Sequence, residues 1–397
     1  MNSLLAIETN PGMGILFFTL GGLAGAVFYL PLNKVKNWAW ESYWMIYAVV
    51  GLLIVPWVLA YSTSPNLMSV LMASPRTTLM YCFICGAAWG FGGLTWGLMI
   101  RYLGVGLGLA IGCGLVMSVG TLVPKIIAGE FGDLFNNVAG ISSFIGILVT
   151  LAGIILVGMA GMSKEGELSE EEKKKSVAEF NFKLGIIVAI FSGIMSAAMN
   201  FGLQGGPLVE HKAQYGSKTQ IIKGEAETIP QEFMETKDSV VFDKKTKYWV
   251  LPGTSDGEKL TAETWKGMPV LVVVLLGGLM VNFLWCLFLN FKNKTMGDYC
   301  KKGAPLVSNL ALAGLAGAIW CSQFICFKTG EPRMGNIAYV GWQVLFASMI
   351  IFSTLLGILL GEWNGTSKQT RWFLAMGLVL LVASTVVAGY SGYLSQS

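Results

Sequence analysis

The stretch that decides the fold is GMPVLVVVLLGGLMVNFLWCLFLNF, residues 267–291, which contains no charged side chain. At a rise of about 1.5 Å per residue, a helix of this length can cross a hydrocarbon core about 30 Å thick. Inside lipid, the backbone must satisfy its own hydrogen bonds, as a helix does. The stretch therefore predicts a transmembrane helix.

Similar apolar runs recur along the whole chain. Of its 397 residues, 54% are hydrophobic and 13% are charged, whereas a soluble domain carries about 25% charged residues. No basic residue precedes Lys34, so the first run lacks the start of a signal peptide and is expected to be a retained helix. The predicted fold class is all-α, a polytopic membrane protein with ten transmembrane helices near 11–31, 43–61, 77–100, 103–123, 139–160, 182–204, 267–291, 306–328, 338–360 and 371–391.

The third and fourth predicted helices are separated only by Arg101 and Tyr102. So short a connection predicts that these two helices form a tight hairpin.

Basic residues in the short loops predict the orientation. If loop 32–42 is cytoplasmic, the short loops on its side carry fourteen Lys and Arg residues, and the opposite short loops carry four. Cytoplasmic loops hold the excess of positive charge. We predict an inner-membrane protein with both termini periplasmic and with loops 32–42, 161–181, 292–305 and 361–371 cytoplasmic.

Two segments lie outside the predicted helices. Residues 161–181 are predicted to be a charged cytoplasmic linker. Residues 205–266 are predicted to be an extracytoplasmic loop insertion, in which 240–251 has the pattern of a β-hairpin with a turn of four or five residues. About 60 residues with few apolar positions make little core, so a small cap is expected rather than a catalytic domain.

The two halves of the chain resemble each other. Gly14-Ile15 matches Gly185-Ile186, and GAAW at 86–89 matches GAIW at 317–320, with an offset that grows where the long loop is inserted. The matches predict two five-helix repeats, 1–160 and 182–397. Because five is an odd number, the second repeat would be inverted, and inverted repeats are typical of secondary transporters with a midplane site and alternating access.

Aromatic and amide side chains within the apolar runs are the candidate substrate-binding residues. Trp89 and its repeat partner Trp320 lie mid-helix, away from the interfaces where membrane tryptophans usually lie. An indole offers a flat face to the C–H surface of a sugar and an N–H donor to a hydroxyl; ordinary core packing is the alternative. Amides can bind a neutral polyol, although they also join helices. The predicted substrate-binding residues are Trp89, Trp96, Asn200, Asn282, Trp320, Gln323 and Gln343.

No acidic residue lies deep within a predicted helix, so a midplane carboxylate relay is not expected. Any coupling carboxylate must lie near a helix end. Glu41 and the pair Glu210-His211 are the candidates for ion coupling, with helix capping and solvation as the alternatives.

Several classes of protein are disfavoured. The chain has no phosphate-binding Gly-x4-Gly-Lys-Ser/Thr loop and no pattern of nucleophile, base and acid. His211 is its only histidine, and none of its seven cysteines has metal-ligand spacing. We expect no enzyme, cofactor or metal, and no nucleotide or nucleic-acid partner. The expected partners are the lipid bilayer, a small sugar and a coupling proton or sodium ion.

Longer motifs resemble those of a known family. FYLPLNKVKNWAWE at 28–41 resembles the signature that follows the first helix in the L-rhamnose–proton symporter family of the drug/metabolite transporter superfamily, and GAAWG at 86–90 and GLMIRYLG at 97–104 are similar as well. The resemblance covers nearly all ten helices. It implies a ten-helix fold and proton-coupled import of L-rhamnose or a similar deoxy or pentose sugar. The long insertion at 212–265 and the stretch YVGWQV at 339–344 depart from the family pattern.

Two other functions are compatible with the sequence. A drug/metabolite-type exporter, or a carrier for another small metabolite, would have a pocket with more aromatic and fewer amide side chains. A membrane sensor would need a cytoplasmic module large enough to signal, which the predicted loops do not provide.

Overall fold

The computed structural model of the protein describes residues 10–127, 129–167, 182–226, 228–243, 246–254, 257–301 and 303–395. Within these residues the chain is almost entirely helical, and ten helices are long and apolar enough to cross a membrane. The protein is therefore a multi-pass membrane protein with ten candidate spans, as the sequence predicts.

The helices follow the predicted apolar runs. Their bounds are α1 Pro11–Val27, α2 Tyr29–Leu32, α3 Trp40–Val49, α4 Val55–Thr63, α5 Leu67–Ala73, α6 Arg76–Ile127, α7 Val138–Glu167, α8 Phe182–Gln204, α9 Pro207–Tyr215, α10 Met268–Lys292, α11 Leu306–Gly330, α12 Gly341–Leu359 and α13 Lys368–Leu394. Three spans each combine two helices, α1 with α2, α3 with α4 and α8 with α9, whereas α6 supplies two spans.

Helix α6 folds back on itself. Arg76–Ile127 is one uninterrupted run of helical residues, yet the Cβ position of Gly108 lies 3.5 Å from the Met99 carbonyl oxygen. Nine residues of straight helix would separate these groups by about 13.5 Å. The chain therefore reverses between the limbs Arg76–Ile100 and Ala110–Ile127. The predicted hairpin is confirmed, with its turn extending several residues beyond Tyr102.

Two helices extend into segments that the sequence predicts to be irregular. Helix α7 continues to Glu167, seven residues into the predicted linker; the rest of that linker, 168–181, lies outside the described residues. Helix α9 occupies the beginning of the predicted loop insertion and starts at Pro207, a position where proline's missing N–H has no cost.

The remainder of the insertion carries a small antiparallel sheet. Its strands are β1 Gln220–Lys223, β2 Val241–Asp243 and β3 Tyr248–Leu251, in the order β1-β3-β2. Phe242 pairs with Trp249, so β2 and β3 form a hairpin over the residues predicted for one. Strand β1 pairs Ile222 with the same Trp249 and was not predicted, since four residues give little periodic signal. We call residues 216–266 the cap.

Glycines let the spans touch backbone to backbone. A Cβ on Gly86 of α6 would lie closer than 3.0 Å to the Val274 carbonyl oxygen of α10, and one on Gly277 would overlap the Phe83 carbonyl oxygen in the same way. Further along the same α6 stripe, Gly93 and Gly97 have no described heavy atom within 4 Å of their Cβ positions. The stripe is therefore a helix-packing surface over only part of its length.

The loops gather at two ends of the bundle. At the cap end, Lys247 pairs with Glu130 across 2.9 Å, and the Asn10 amide donates to the Arg333 carbonyl. At the opposite end, the Ala39 amide donates to Asp298 across 2.7 Å. This bond joins loops 32–42 and 292–305. Loop 361–371 lies at the same end, because Ser367 bonds to Glu167 at the end of α7, and α7 begins close after Glu130 at the cap end.

Candidate functional site

Two indoles meet where the halves of the chain face each other. Trp89 of α6 and Trp320 of α11 stack with ring centroids 5.1 Å apart and planes inclined by 29°. Each lies about 20 Å along its helix, near the middle of the span. At this separation the rings leave no space for a sugar between them, so a sugar would bind at their edges or after the rings part.

A row of aromatic rings continues from this pair toward the end opposite the cap. Tyr47 lies 6.0 Å from Trp320 and 4.5 Å from Trp44, measured between ring centroids. The Trp44 indole donates to the Asn282 Oδ1 across 3.0 Å. We call Trp44, Tyr47, Trp320 and Trp89 the aromatic row. It combines flat apolar faces with a neighbouring amide, which suits the mixed C–H and hydroxyl surface of a sugar.

Sequence reasoning missed two members of the aromatic row. Trp44 and Tyr47 are spaced i, i+3, so they lie on one face of α3. That spacing was a usable signal, but it gave no indication that this face would meet Trp320.

Gln323 and Trp96 lie near the indole pair in sequence but make other contacts. Gln323 donates to the Trp320 carbonyl across 3.0 Å, and its Oε1 lies 3.0 Å from the Cβ position of Gly25 in α1. The Trp96 ring instead packs on Gly112 in the second limb of α6. Gln323 therefore borders the α1–α11 contact, and Trp96 packs between the two limbs of the α6 hairpin.

Two predicted amides join helices away from the aromatic row. Asn200 donates to the Gly120 carbonyl across 2.6 Å and links α8 to α6. Gln343 donates to the Thr150 hydroxyl across 2.9 Å and links α12 to α7. Its Oε1 has no hydrogen-bond partner among the described residues. The structure thus brings Trp89, Asn282 and Trp320 together, with Gln323 adjacent, whereas Trp96, Asn200 and Gln343 make their described contacts with Gly112, Gly120 and Thr150.

Glu41, a predicted coupling candidate, lies at the end opposite the cap and is only 5% exposed. Its Oε1 accepts hydrogen bonds from Asn293 and Thr295, both at 2.9 Å. The neighbouring Ser42 donates to Asp298 across 2.8 Å. The carboxylate therefore tethers α3 to the loop after α10 and is not simply solvated.

The cap end contains a buried ion cluster. The Lys328 ammonium lies 2.7 Å from a carboxylate oxygen of Glu210 and 2.7 Å from one of Glu331. It also donates to the Leu203 carbonyl across 3.3 Å. We call Glu210, Lys328 and Glu331 the ion cluster.

Lys328 is the last residue of the predicted helix 306–328, but nothing in the sequence predicted that its side chain would be buried. Its side chain is only 3% exposed, at the end of α11. The i, i+3 spacing of Lys328 and Glu331 was a weak signal of an ion pair, but the approach of Glu210 depends on α9, which the sequence did not predict.

A cavity of about 240 Å³ separates the ion cluster from the cap. His211, the remaining coupling candidate, lies 3.2 Å from Asp243 of β2 and 3.2 Å from the Thr246 hydroxyl. Burial opposes ionisation of Asp243, but the hydrogen bond and charge of His211, with the charge of Lys266, hold its pKa well below the usual range. Burial likewise disfavours the Lys266 ammonium, whereas the carboxylates of Glu263 and Glu210 raise its pKa. The cavity is lined by charges of both signs.

Comparison with known proteins gives one family. The model of the L-rhamnose-proton symport protein family matches residues 7–223 and 260–392, so β2 and β3 of the cap fall outside the match. The L-rhamnose-proton symporter of Cronobacter sakazakii is 28% identical over 382 residues, covering 95% of this chain and 96% of that protein. Those of Escherichia coli strain SMS-3-5 and Shigella sonnei are also 28% identical over 382 residues, covering 95% of this chain and 97% of each relative.

Proposed function

The chain belongs to the L-rhamnose-proton symport protein family, and from this membership we infer that it imports L-rhamnose, or a deoxy or pentose sugar of similar shape, together with a proton. The family match over both halves of the chain carries this proposal. The protein is a transporter and not an enzyme. The exporter and sensor alternatives are not favoured, since the relatives are named as symporters.

We propose that the sugar path lies between two inverted five-helix repeats, 1–160 and 182–397, and that the chain belongs to the drug/metabolite transporter superfamily. Equivalent packing in the two halves supports this. Gly86 of the third span packs on the seventh span, and its counterpart Gly317 of the eighth span packs on Gly51 of the second. The third and eighth spans then meet each other at Trp89 and Trp320. In the proposed arrangement, a pseudo-two-fold axis would pass through this pair and relate the Gly86 contact to the Gly317 contact.

The aromatic row is the proposed sugar site. Its indoles would cover the apolar face of the sugar, and Asn282 would exchange its bond with Trp44 for a bond with a hydroxyl. Gln323 lies one turn beyond Trp320 and is the second proposed amide ligand. Rocking of one repeat against the other would part Trp89 from Trp320 and expose the site to alternate sides of the membrane.

Uptake into membrane vesicles tests both sugar and ion. With the outside two pH units more acidic, one proton per sugar supports about a hundredfold accumulation of labelled L-rhamnose, since each pH unit is worth about 1.36 kcal/mol. A protonophore should reduce the ratio to about one, and a sodium gradient alone should not drive accumulation. Uptake driven by a sodium gradient would show that sodium, and not the proton, is the coupling ion. Absence of any sugar-specific uptake would refute the proposed transport function.

Reporter fusions test the proposed orientation in the inner membrane. Alkaline phosphatase, which is active only in the periplasm, should be active when fused after residue 230 and inactive when fused after residue 165 or residue 365. The reason is the excess of basic residues in the loops at the end opposite the cap. Equal activity after 165 and 230 would mean that the sixth span does not cross the membrane, and the inverted repeats would be wrong.

A further inference from the structure

The ion cluster holds a lysine whose three donors are all matched. An ammonium has three protons, and Lys328 places acceptors from Leu203, Glu210 and Glu331 around it. This complete coordination, in a side chain that is 3% exposed, stabilises the charged form. Lys328 is therefore the fixed charge of the cluster, and the carboxylates are the groups that can change charge.

The two carboxylates have different structural roles. Glu331 follows Lys328 by three residues on the same segment, so this ion pair moves as one unit. Glu210 belongs to α9, the extension of the sixth span, so its 2.7 Å contact with Lys328 bridges the sixth and eighth spans. For these two spans to separate, both the Glu210 contact and the longer 3.3 Å bond to the Leu203 carbonyl of α8 must break, and of these two acceptors only Glu210 can bind a proton.

Proton uptake by Glu210 would release this bridge. Glu210, Lys328 and Glu331 together carry one more negative than positive charge, and the Lys266 ammonium on the wall of the same cavity offsets part of the excess. Adding a proton to Glu210 makes the set neutral and replaces a charge-assisted hydrogen bond with a weaker neutral one. Lys328 keeps its partner Glu331 in either state, so the ammonium is not left isolated.

The surroundings provide a route for the proton. The cavity reaches Glu210 and also contacts His211, Asp243, Glu263 and Lys266. His211 is 3% exposed, and its Nδ1 has no hydrogen-bond partner among the described residues.

Besides the residues that line the cavity, several ionisable side chains lie on the elements around Glu210. From α9, Lys212 points away and donates to the carbonyls of Ser217 and Thr219. After α11, Arg333 donates to the Thr329 carbonyl. From α6, the Cys82 thiol lies near enough to interact with Lys328 and Glu210. Helix α5 and the nearby start of α10 contribute no charged residue.

We propose that Glu210 takes up the coupling proton and that its bond to Lys328 is the latch this proton opens between the sixth and eighth spans. The proposal rests on the proposed function and names the group that performs its coupling. The proton adds to a carboxylate oxygen of Glu210 from the cap side, and coupled import requires that it leave toward the opposite side before Glu210 rejoins Lys328.

The test separates coupling from sugar movement by using Glu210→Gln in the full chain. Glutamine mimics the protonated carboxyl, so exchange of labelled for unlabelled L-rhamnose at equal pH should stay within about threefold of wild type. Accumulation driven by a two-unit pH gradient should fall from about a hundredfold to about one. Glu210→Asp keeps a titratable carboxyl and should restore accumulation, with a shifted pH dependence.

Two other carboxylate substitutions are the matched controls for Glu210→Gln. Glu130→Gln changes another carboxylate at the cap end, paired with Lys125 and Lys247, and should leave exchange and accumulation unchanged. Glu41→Gln changes the buried carboxylate at the opposite end and should also retain accumulation.

Three results would overturn the proposal. They are normal accumulation by Glu210→Gln, loss of accumulation by Glu41→Gln with exchange intact, and loss of both exchange and accumulation by Glu210→Gln when the protein is present in the membrane. If Glu210→Gln fails to reach the membrane, the decision falls to Glu210→Asp, because an unshifted pH dependence would exclude Glu210. Wild-type protein without L-rhamnose exchange would instead refute the proposed function.

Discussion

Gly86→Ala should destabilise the folded protein by about 1–3 kcal/mol, the range expected for overpacking a close contact. The new Cβ would overlap the Val274 carbonyl oxygen, which is backbone and cannot rotate away. Helices α6 and α10 would have to separate, losing their packing along the third and seventh spans. The measurement is the thermal unfolding midpoint of the purified protein in detergent, supported by its yield in the membrane.

Gly97→Ala is the matched control, since it makes the same substitution on the same helical stripe. No described heavy atom lies within 4 Å of its Cβ position. Alanine is favoured over glycine in a helix by about 1 kcal/mol, so this variant should be as stable as wild type or slightly more stable. Equal midpoints for both variants would mean that α6 and α10 do not pack as described.

Trp320→Ala should have the largest effect on transport. Trp320 is the one indole of the aromatic row that contacts rings on two other spans, Trp89 of α6 and Tyr47 of α3. Losing one buried aromatic face costs about 1.5–3 kcal/mol, which corresponds to about a 10- to 150-fold lower kcat/KM for L-rhamnose uptake. Trp320→Phe keeps an aromatic face and should recover most of the loss.

Trp285→Ala is the control for removing an indole from a membrane span. Its side chain is 45% exposed on the outside of α10, so uptake should be unchanged. Quantifying each variant in the membrane separates transport from folding, because a core Trp→Ala change also costs stability. Wild-type kinetics for Trp320→Ala would place the sugar site outside the aromatic row.

The number of spans was accessible from the sequence because crossing a bilayer is a local requirement. Each apolar run must be long enough and uncharged enough by itself, whatever its neighbours are. The α6 hairpin could also be predicted from a local feature, because Arg101 and Tyr102 are too few residues to form a longer loop between two apolar runs. The extension of α7 and the presence of α9 were missed because polar helices beyond the hydrocarbon core carry no apolar signal.

The residues of the site were only partly predictable. Trp89 and Trp320 could be paired through the repeat, because equivalent positions of two repeats can meet at the axis between them. Trp44 and Tyr47 have no such marker, and their membership of the aromatic row depends on how α3 faces α11. Asn200 and Gln343 have the residue type expected of a sugar ligand, but each donates its hydrogen bond to a group on a neighbouring helix, which the sequence could not reveal.

The sequence by itself determined the membrane class, the ten spans and the family, since these depend on the composition and order of residues along the chain. Only the tertiary structure decided that Gly86 packs while Gly97 does not, and that Lys328 lies buried between two carboxylates. Both depend on which side chains and backbones approach from distant parts of the chain. Hydrophobic length is a property of one segment, whereas burial and charge pairing are properties of the contacts between segments.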